Sequence, residues 1–216
     1  MSAPTIAVVD YGAGNLVSID QALRTVGAAP LVVRDAGALD GADGLIVPGV
    51  GAAAPAMERL VAAGLVDPIL DWVAADRPFL GICLGLQLLF EGSDEDGAET
   101  LGVLPGRTRR LAAAPTLPHI GWNQVERRRD HPLFRLVDDG ADFYFVHSYA
   151  GEVDPSAADA VLATTTHGAA FVSAVARGSL LGVQFHPERS GRDGLTLLGN
   201  FAALVEAHAS GVAVPA

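Results

Sequence analysis

The chain has 216 residues, a length between one and two typical domains and enough to bury a sizeable hydrophobic core. Half of its residues are hydrophobic and 18% are charged, which excludes a disordered chain and a coiled coil. The formal net charge of -11 argues against a general nucleic-acid-binding surface, because such a surface needs clustered Lys and Arg.

The cysteine content and the apolar runs bear on the compartment. Cys83 is the single cysteine, which excludes an internal disulfide framework and a multi-cysteine metal site. No apolar run reaches the roughly 18 residues needed to span a membrane, and the first residues lack the pattern of a signal peptide. We therefore expect a cytoplasmic protein that binds no membrane. Composition leaves Cys83 as either a small buried hydrophobe or a reactive thiol.

The first half of the chain alternates short apolar runs with segments of helical periodicity. Buried strands are predicted over 6–9, 31–33, 45–47 and 79–82, and 16–23 carries an apolar stripe at helical spacing. This alternation is typical of βαβ units. It predicts an α/β fold with a mainly parallel sheet.

The pattern changes between residue 102 and residue 184. Turn residues there separate predicted strands, which fall at 122–126, 143–149, 160–165, 171–176 and 181–185. This half of the sheet is therefore expected to be antiparallel or mixed. A last helix over 195–208 has one apolar face to cover the sheet. We predict a single domain over 1–210 and a loose tail over 211–216.

Two short basic runs lie at 107–110 and 127–129. Each interrupts strand-like sequence, which favours a solvated edge or turn. Docking of an acidic partner is the alternative for both runs.

The strand at 79–82 runs directly into Cys83, and an apolar helix predicted over 84–90 follows. Glycines lie on both sides of the cysteine. This is the arrangement of a nucleophile elbow, with sulfur in place of oxygen. Backbone N–H groups at the start of a helix favour a thiolate and can bind an oxyanion. The pattern favours a nucleophilic Cys83, and a buried cysteine in a glycine-rich turn is the alternative.

A thiolate nucleophile needs a general base and a group that orients the base. Another predicted strand ends at His186, and Glu188 follows two residues later. Glu188 can hold one ring nitrogen while the other faces the thiol. The run at 48–51, Pro-Gly-Val-Gly, leaves the third strand at the same edge of the sheet, where its N–H groups can approach a reacting carbonyl. Taken alone, that run also fits an ordinary turn.

The cysteine elbow and the His-Pro-Glu run, in this order, resemble the class I, or triad-type, glutamine amidotransferases. The resemblance spans essentially the whole chain. It implies a three-layer sandwich of the flavodoxin-like type, whose mainly parallel sheet is extended by mixed or antiparallel strands. The stretches Asp-Tyr-Gly-Ala-Gly-Asn-Leu at 10–16 and Pro-His-Ile-Gly-Trp-Asn at 118–123 resemble the branch of the family that acts in histidine biosynthesis.

The resemblance implies a role for each matching residue. Cys83 would be the nucleophile, His186 the general base and then acid, and Glu188 its orienting partner. Three groups of further residues are implied: oxyanion donors in the backbone of Val50, Gly51 and Leu84; substrate contacts from Gln87, Glu95 and the backbone of Val146, His147, Ser148 and Tyr149; and a partner interface at Asn15, Trp122 and Arg189. The family usually has Lys where this chain has Arg189. Each of the side chains outside the triad also has an ordinary explanation, such as an N-cap for Asn15, packing for Gln87 and Trp122, and a solvated charge for Glu95.

The resemblance further implies the activity. It is a glutaminase that needs no metal or organic cofactor and delivers ammonia to a second subunit, a (β/α)8-barrel synthase. Three alternatives remain: a class I subunit serving anthranilate, CTP, GMP or carbamoyl phosphate synthesis, a non-catalytic scaffold, and a stand-alone cysteine peptidase or deglycase. The stretches at 10–16 and 118–123 argue against the first, the intact triad against the second, and Gln87 against the third.

Overall fold

The structure, a computed structural model, describes residues 3–212 of the chain. Its strands are β1 (Thr5–Val9), β2 (Ala29–Val33), β3 (Gly44–Val47), β4 (Phe79–Ile82), β5 (Gly106–Arg110), β6 (His119–Arg127), β7 (Ala141–His147), β8 (Tyr149–Val153), β9 (Val161–His167), β10 (Ala169–Arg177) and β11 (Leu180–Val183). Its α-helices are α1 (Leu16–Thr25), α2 (Ala53–Ala62), α3 (Val66–Ala74), α4 (Leu84–Gln87) and α5 (Gly191–Ala209).

One half of the main sheet is parallel, and it places the strand ends that matter for function. Strands β2, β1, β3, β4 and β11 lie side by side in that order and run in the same direction. This is the flavodoxin-like order 2-1-3-4-5, with β11 in the fifth place. The carboxyl ends of β1, β3, β4 and β11 therefore meet at one edge of the sheet. The predicted mainly parallel α/β sheet is confirmed.

Helices cover both faces of this parallel half. Ile6 and Val8 point to one face and pack in a core with residues of α1 and α5. Ala7 and Val9 point to the other face and pack with residues of α2 and α3. Alternate side chains of one strand thus enter two separate cores, which explains why the strand is apolar throughout. The result is the expected three-layer sandwich.

The other half of the main sheet is antiparallel, continuing from β11 through β10, β9, β6 and β7. The expected mixed sheet is therefore confirmed. The single strand predicted over 143–149 is wrong, because the chain changes sheets at Ser148. Strand β7 pairs with β6 in the main sheet, whereas β8 pairs with β5 in a small second sheet.

The helix predicted after the cysteine is also shorter than expected, since α4 ends at Gln87. The next three residues are buried, but their carbonyls accept hydrogen bonds from the backbone of residues 101–104 instead of from a continuing helix. The basic run at 107–110 forms β5, where Arg107 pairs with Asp94 at 3.0 Å on the surface. Helices α2 and α3 were not predicted, and α5 begins four residues before the predicted 195.

Within residues 3–212, no helix combines the length and the apolar character needed to cross a membrane. The predicted tail begins at residue 211, and its residues 213–216 lie outside the described range.

Candidate active site

Cys83 occupies a sharp turn between β4 and α4. Its φ of 53° is rare for a residue with a side chain, and its N–H donates to Val183 O at 2.8 Å. A Cβ on Gly81 would lie 2.6 Å from Gly85 O, and a Cβ on Gly85 would overlap the carbonyl of Val47. Only glycine fits at both positions, because strand and helix approach so closely. This is the backbone geometry of a nucleophile elbow.

His186 and Glu188 form a buried pair beyond the end of β11. The His186 Nδ1 lies 2.9 Å from Glu188 Oε1. A carboxylate can only accept, so Nδ1 carries a proton and Nε2 is left for another partner. The His186 backbone is fixed on both sides, by its N–H donating to Tyr144 O and by its carbonyl accepting from Ser190 Oγ at 2.6 Å.

The electrostatics of His186 couple it to the cysteine. Burial alone would lower the pKa of His186, but the interactions of its ring with Cys83 and with Glu188 outweigh burial and raise it to about 10. The His186 Nε2 is buried and makes no well-aligned hydrogen bond within residues 3–212, so it is poised to act on the sulfur. The raised pKa of His186 favours an imidazolium beside the sulfur.

Free backbone donors line the elbow. The N–H groups of Leu84, Val50 and Gly51 donate to no acceptor among the described residues. The loop carrying Val50 and Gly51 lies against the elbow, because a Cβ on Gly49 would be 2.9 Å from the Leu84 Cβ. The loop after β3 and the start of α4, which carry these N–H groups, are therefore adjacent.

Tyr11 supports this loop, a role that the sequence reasoning missed. Its buried hydroxyl donates to Pro48 O at 2.8 Å. Burial and the charge of Cys83 raise the pKa of Tyr11 well above its ordinary value, which keeps the phenol protonated as a donor. The sequence feature that could have indicated this role is the position of Tyr11, just after an apolar strand and within the stretch at 10–16.

Gln87 lies on α4, one turn after the cysteine, and is 5% exposed. Its Nε2 donates to Tyr149 O at 2.8 Å and to Gln184 Oε1 at 3.1 Å. Its own Oε1 has no partner within residues 3–212, so it can accept a hydrogen bond from a ligand amide. Gln184 was not singled out from the sequence, although a polar residue within the apolar run at 180–185 was a signal.

Glu95 lies in an exposed loop that follows α4 along the chain. Its loop is tied to the start of α2 by Asp96, whose carboxylate accepts from Ala54 N at 2.7 Å. Partial desolvation of its carboxyl and the charge of Asp96 raise the pKa of Glu95. Of the predicted substrate backbone, Val146 and Ser148 are half-buried at the sheet change.

Three neighbouring histidines hold the backbone near the site. His147 Nδ1 donates to Tyr149 O at 2.8 Å, so its Nε2 must accept from His119 Nδ1, 3.1 Å away. His119 Nε2 then accepts from Asn123 at 3.1 Å, and His167 stacks on His119 with ring centroids 4.0 Å apart. These bonds satisfy neutral rings. No three His, Cys, Asp or Glu of residues 3–212 are grouped to hold a metal ion.

The buried histidines should make the fold sensitive to mild acid. Burial, assisted by neighbouring histidines, lowers the pKa of His119 to about 4 and that of His147 to about 3. A histidine with a depressed pKa stabilises the fold fully above its unfolded value near 6.5 and loses that contribution as the pH falls. Lowering the pH from 7 to 5 should therefore reduce the free energy of unfolding by about 2 kcal/mol for each of these two histidines.

Urea unfolding at both pH values measures this effect. The His119→Gln variant should lose about 2 kcal/mol of the pH dependence. The same substitution at His208, which is exposed on α5, is the matched control. Equal pH dependence in the wild type and in His119→Gln would contradict the assignment.

The predicted partner residues are exposed. Asn15 caps α1 by accepting from Ser18 N, so its ordinary structural explanation also holds. Trp122 is 57% exposed and packs edge-on against Tyr144, while the guanidinium of Arg189 lies 4.3 Å from the centre of the Tyr144 ring. A planar guanidinium stacks on an aromatic face better than a Lys ammonium does, which accounts for Arg189 in this chain.

A doubly wound sheet with a cysteine elbow facing a buried His–Glu pair defines the class of α/β enzymes that use a thiol nucleophile. The sequence model of the family described as "Glutamine amidotransferase class-I" matches residues 7–204. The chain therefore belongs to the class I glutamine amidotransferases, and it is an enzyme of that family.

Sequence relatives agree with this family, and a solved structure agrees with the fold. The chain is 49% identical over 201 residues to "Imidazole glycerol phosphate synthase subunit HisH" of Moorella thermoacetica, covering 93% of this chain and 95% of that protein. The protein of the same name from Synechococcus elongatus is 48% identical over 212 residues, covering 95% and 96%. "Structure of PurLQS from Thermotoga maritima" superposes with a TM-score of 0.74 at 19% identity over 94% of this chain and 99% of that one, which supports the fold alone.

Proposed function

We propose that this chain is the glutaminase subunit of an imidazole glycerol phosphate synthase. The observation that carries the proposal is the elbow cysteine beside the buried pair of His186 and Glu188, with Gln87 next to it. Near-full-length relatives bearing that subunit name support the choice of synthase. The stretches at 10–16 and 118–123 favour this branch over the subunits that serve anthranilate, CTP, GMP or carbamoyl phosphate synthesis.

In the proposed mechanism, the thiolate of Cys83 attacks the side-chain amide carbon of glutamine. The oxyanion receives hydrogen bonds from the N–H groups of Leu84 and of the Val50–Gly51 loop, and each such donor contributes about 2.7–4 kcal/mol to lowering the barrier. His186 protonates the departing ammonia, leaving a glutamyl thioester. Water activated by His186 then releases glutamate and restores the thiol.

Substrate contacts complete the proposed site. Gln87 Oε1 would accept from the substrate amide, and Glu95 at the rim would pair with the α-amino group. The backbone of Val146, His147 and Ser148 would line the other side, together with that of Tyr149. No metal or organic cofactor takes part in these steps.

The ammonia would pass to a (β/α)8-barrel synthase subunit, in a cytoplasmic heterodimer that involves neither nucleic acid nor membrane. The proposed docking face comprises Asn15, Trp122 and Arg189. Arg189 directly follows Glu188, and Tyr144, on which Arg189 stacks, accepts the backbone hydrogen bond of His186. A partner bound to this face would therefore contact Arg189, the residue next to Glu188 of the triad. We also propose that residues 1–210 act as one glutaminase domain.

We expect the isolated chain to be nearly inactive and the barrel subunit to raise its glutamine hydrolysis by about 100-fold or more, the value of one oxyanion donor. The reason is that Gly51, with a φ of 95°, sits in an exposed glycine loop that can take more than one backbone conformation. Glutamate release is measured with and without the synthase subunit and its nucleotide ligand. Comparable turnover in both mixtures would contradict this prediction.

Two further measurements separate the proposal from its alternatives. A glutamine analogue with an electrophilic side chain should label Cys83 in the complex, and a non-catalytic scaffold would not be labelled. Expression of the chain should restore growth without histidine to a strain lacking its own glutaminase subunit. Failure to complement, with intact labelling, would assign the chain to another amidotransferase.

A further inference from the structure

Gln184 lies directly after β11, two residues before His186, and its side chain is fully buried, with 0% exposure. A buried amide is costly unless its N–H and C=O groups find partners. Its backbone is fixed by the N–H donating to Ser173 O at 2.9 Å. Its side chain extends between Gln87 and Cys83, so both ends of the amide face residues of the active site.

The orientation of this amide follows by elimination. Tyr149 O can only accept, so the Gln87 atom 2.8 Å from it must be Nε2. The same nitrogen lies 3.1 Å from one end of the Gln184 amide, and that end must therefore be the acceptor Oε1. The other end is the donor Nε2, and it lies 3.5 Å from Cys83 Sγ, a hydrogen-bond distance for sulfur. The N–H of Gln184 thus faces the sulfur whichever way the amide is first drawn.

The acceptor that starts this elimination is itself fixed. Tyr149 O accepts from His147 Nδ1 and from Gln87 Nε2, both at 2.8 Å, which fills both lone pairs of the carbonyl. The Gln87 amide therefore cannot flip without placing two acceptors against each other. Hydrogen bonds of one polarity therefore run from Gln87 through Gln184 to the sulfur of Cys83.

We propose that Gln184 is a further catalytic residue, whose side-chain N–H donates to Cys83 Sγ and stabilises the thiolate in position for attack. The amide of Gln184 then donates a hydrogen bond to the thiolate, in addition to the nearby positive charge of the His186 imidazolium. Hydrogen bonds to an ionised acceptor are about twice as strong as neutral ones, and a buried site strengthens them further. The inference rests on the proposed role of Cys83 as the nucleophile, and Gln87 acts as the positioning residue for Gln184.

Gln184→Glu is the sharpest test, because it keeps the oxygen that faces Gln87 and turns the donor at the sulfur into an acceptor. Gln184→Met is the second variant, since it removes the donor without adding charge. The chain has one cysteine, so the thiolate ultraviolet absorbance at neutral pH, taken as the difference from a Cys83→Ser form, reports this site alone. Alkylation by iodoacetamide gives a second readout on the isolated chain.

Both variants should lose most of the thiolate absorbance and react with iodoacetamide about 10-fold more slowly. In the complex with the synthase subunit, kcat should fall about 10-fold to 100-fold with KM nearly unchanged, as expected for a lost hydrogen bond to a charged group. The matched Gln21→Glu change at an exposed position of α1 should alter none of these quantities. Wild-type absorbance and kcat in both Gln184 variants would overturn the inference.

The experiment distinguishes an error in the role of Gln184 from an error in the proposed function. If the wild-type complex hydrolyses glutamine and both Gln184 variants match it, the glutaminase assignment stands and the role of Gln184 is wrong. If the wild-type complex does not hydrolyse glutamine, the proposed function is wrong, whatever the absorbance of the isolated chain. Binding of each variant to the synthase subunit confirms that it is folded.

Discussion

Replacing Cys83 with Ala is expected to abolish glutamine hydrolysis by the complex, with a fall in kcat of about 10⁵-fold or more. The sulfur is the only nucleophile placed at the elbow, and without it neither the thioester nor the His186 pair can form. The remaining oxyanion donors still bind substrate, so residual turnover should resemble that of other nucleophile knockouts. Glutamate release by the purified complex is the measurement.

The control for this variant is ammonia-dependent synthesis. A complex carrying Cys83→Ala should still make product when ammonium salt replaces glutamine, because the proposed synthase site lies on the partner subunit and not on this chain. Loss of both activities would indicate a folding or assembly defect. Substantial glutamine hydrolysis by Cys83→Ala would show that the elbow cysteine is not the nucleophile.

Glu188→Gln is expected to lower kcat by about 10⁴-fold while leaving KM nearly unchanged. The amide is nearly isosteric, but it no longer holds a proton on His186 Nδ1 by charge. The carboxylate is one of the groups that raise the pKa of His186 to about 10, so its loss also weakens the imidazolium. In the neutral ring the proton could then lie on Nε2 instead of Nδ1, and Nε2 could not act as the general base. Initial rates across a range of glutamine concentrations separate kcat from KM.

The same Glu→Gln change at Glu206 on α5 removes a charge far from the triad and should leave both constants unchanged. If the Glu188→Gln complex keeps a tenth or more of the wild-type kcat, Glu188 does not orient His186. The backbone hydrogen bonds of His186 with Tyr144 and Ser190 would then be what orients it. The two variants together therefore distinguish an orienting carboxylate from a general effect of charge.

Much of the fold and part of the candidate site could be predicted from local sequence. The strand that leads into Cys83 was predicted with its observed bounds, Phe79–Ile82, because a buried parallel strand is apolar throughout and ends where glycines allow a sharp turn. The helix after it was predicted three residues too long. Its apolar residues are buried by other segments, and burial alone does not distinguish a helix from an irregular turn.

Gln184 and Tyr11 could not be predicted in the same way. Each acts on a residue far along the chain: Gln184 contacts Cys83 across 101 positions, and Tyr11 contacts Pro48 across 37. The change of sheet at Ser148 was missed for a related reason, since the partners of β7 and β8 are chosen by packing. Local periodicity reports which residues are buried but not which polar groups meet.

The sequence by itself determined the α/β class, the elbow at Cys83 and the pairing of His186 with Glu188, because each depends on residues within a few positions of one another. Only the tertiary structure decided what surrounds the sulfur. The parallel order of β1, β3, β4 and β11 brings four strand ends to one edge, where the loop after β3 packs against Leu84 and the amide of Gln184 reaches the sulfur of Cys83. Convergence of this kind depends on strand order and close packing, which no local pattern encodes.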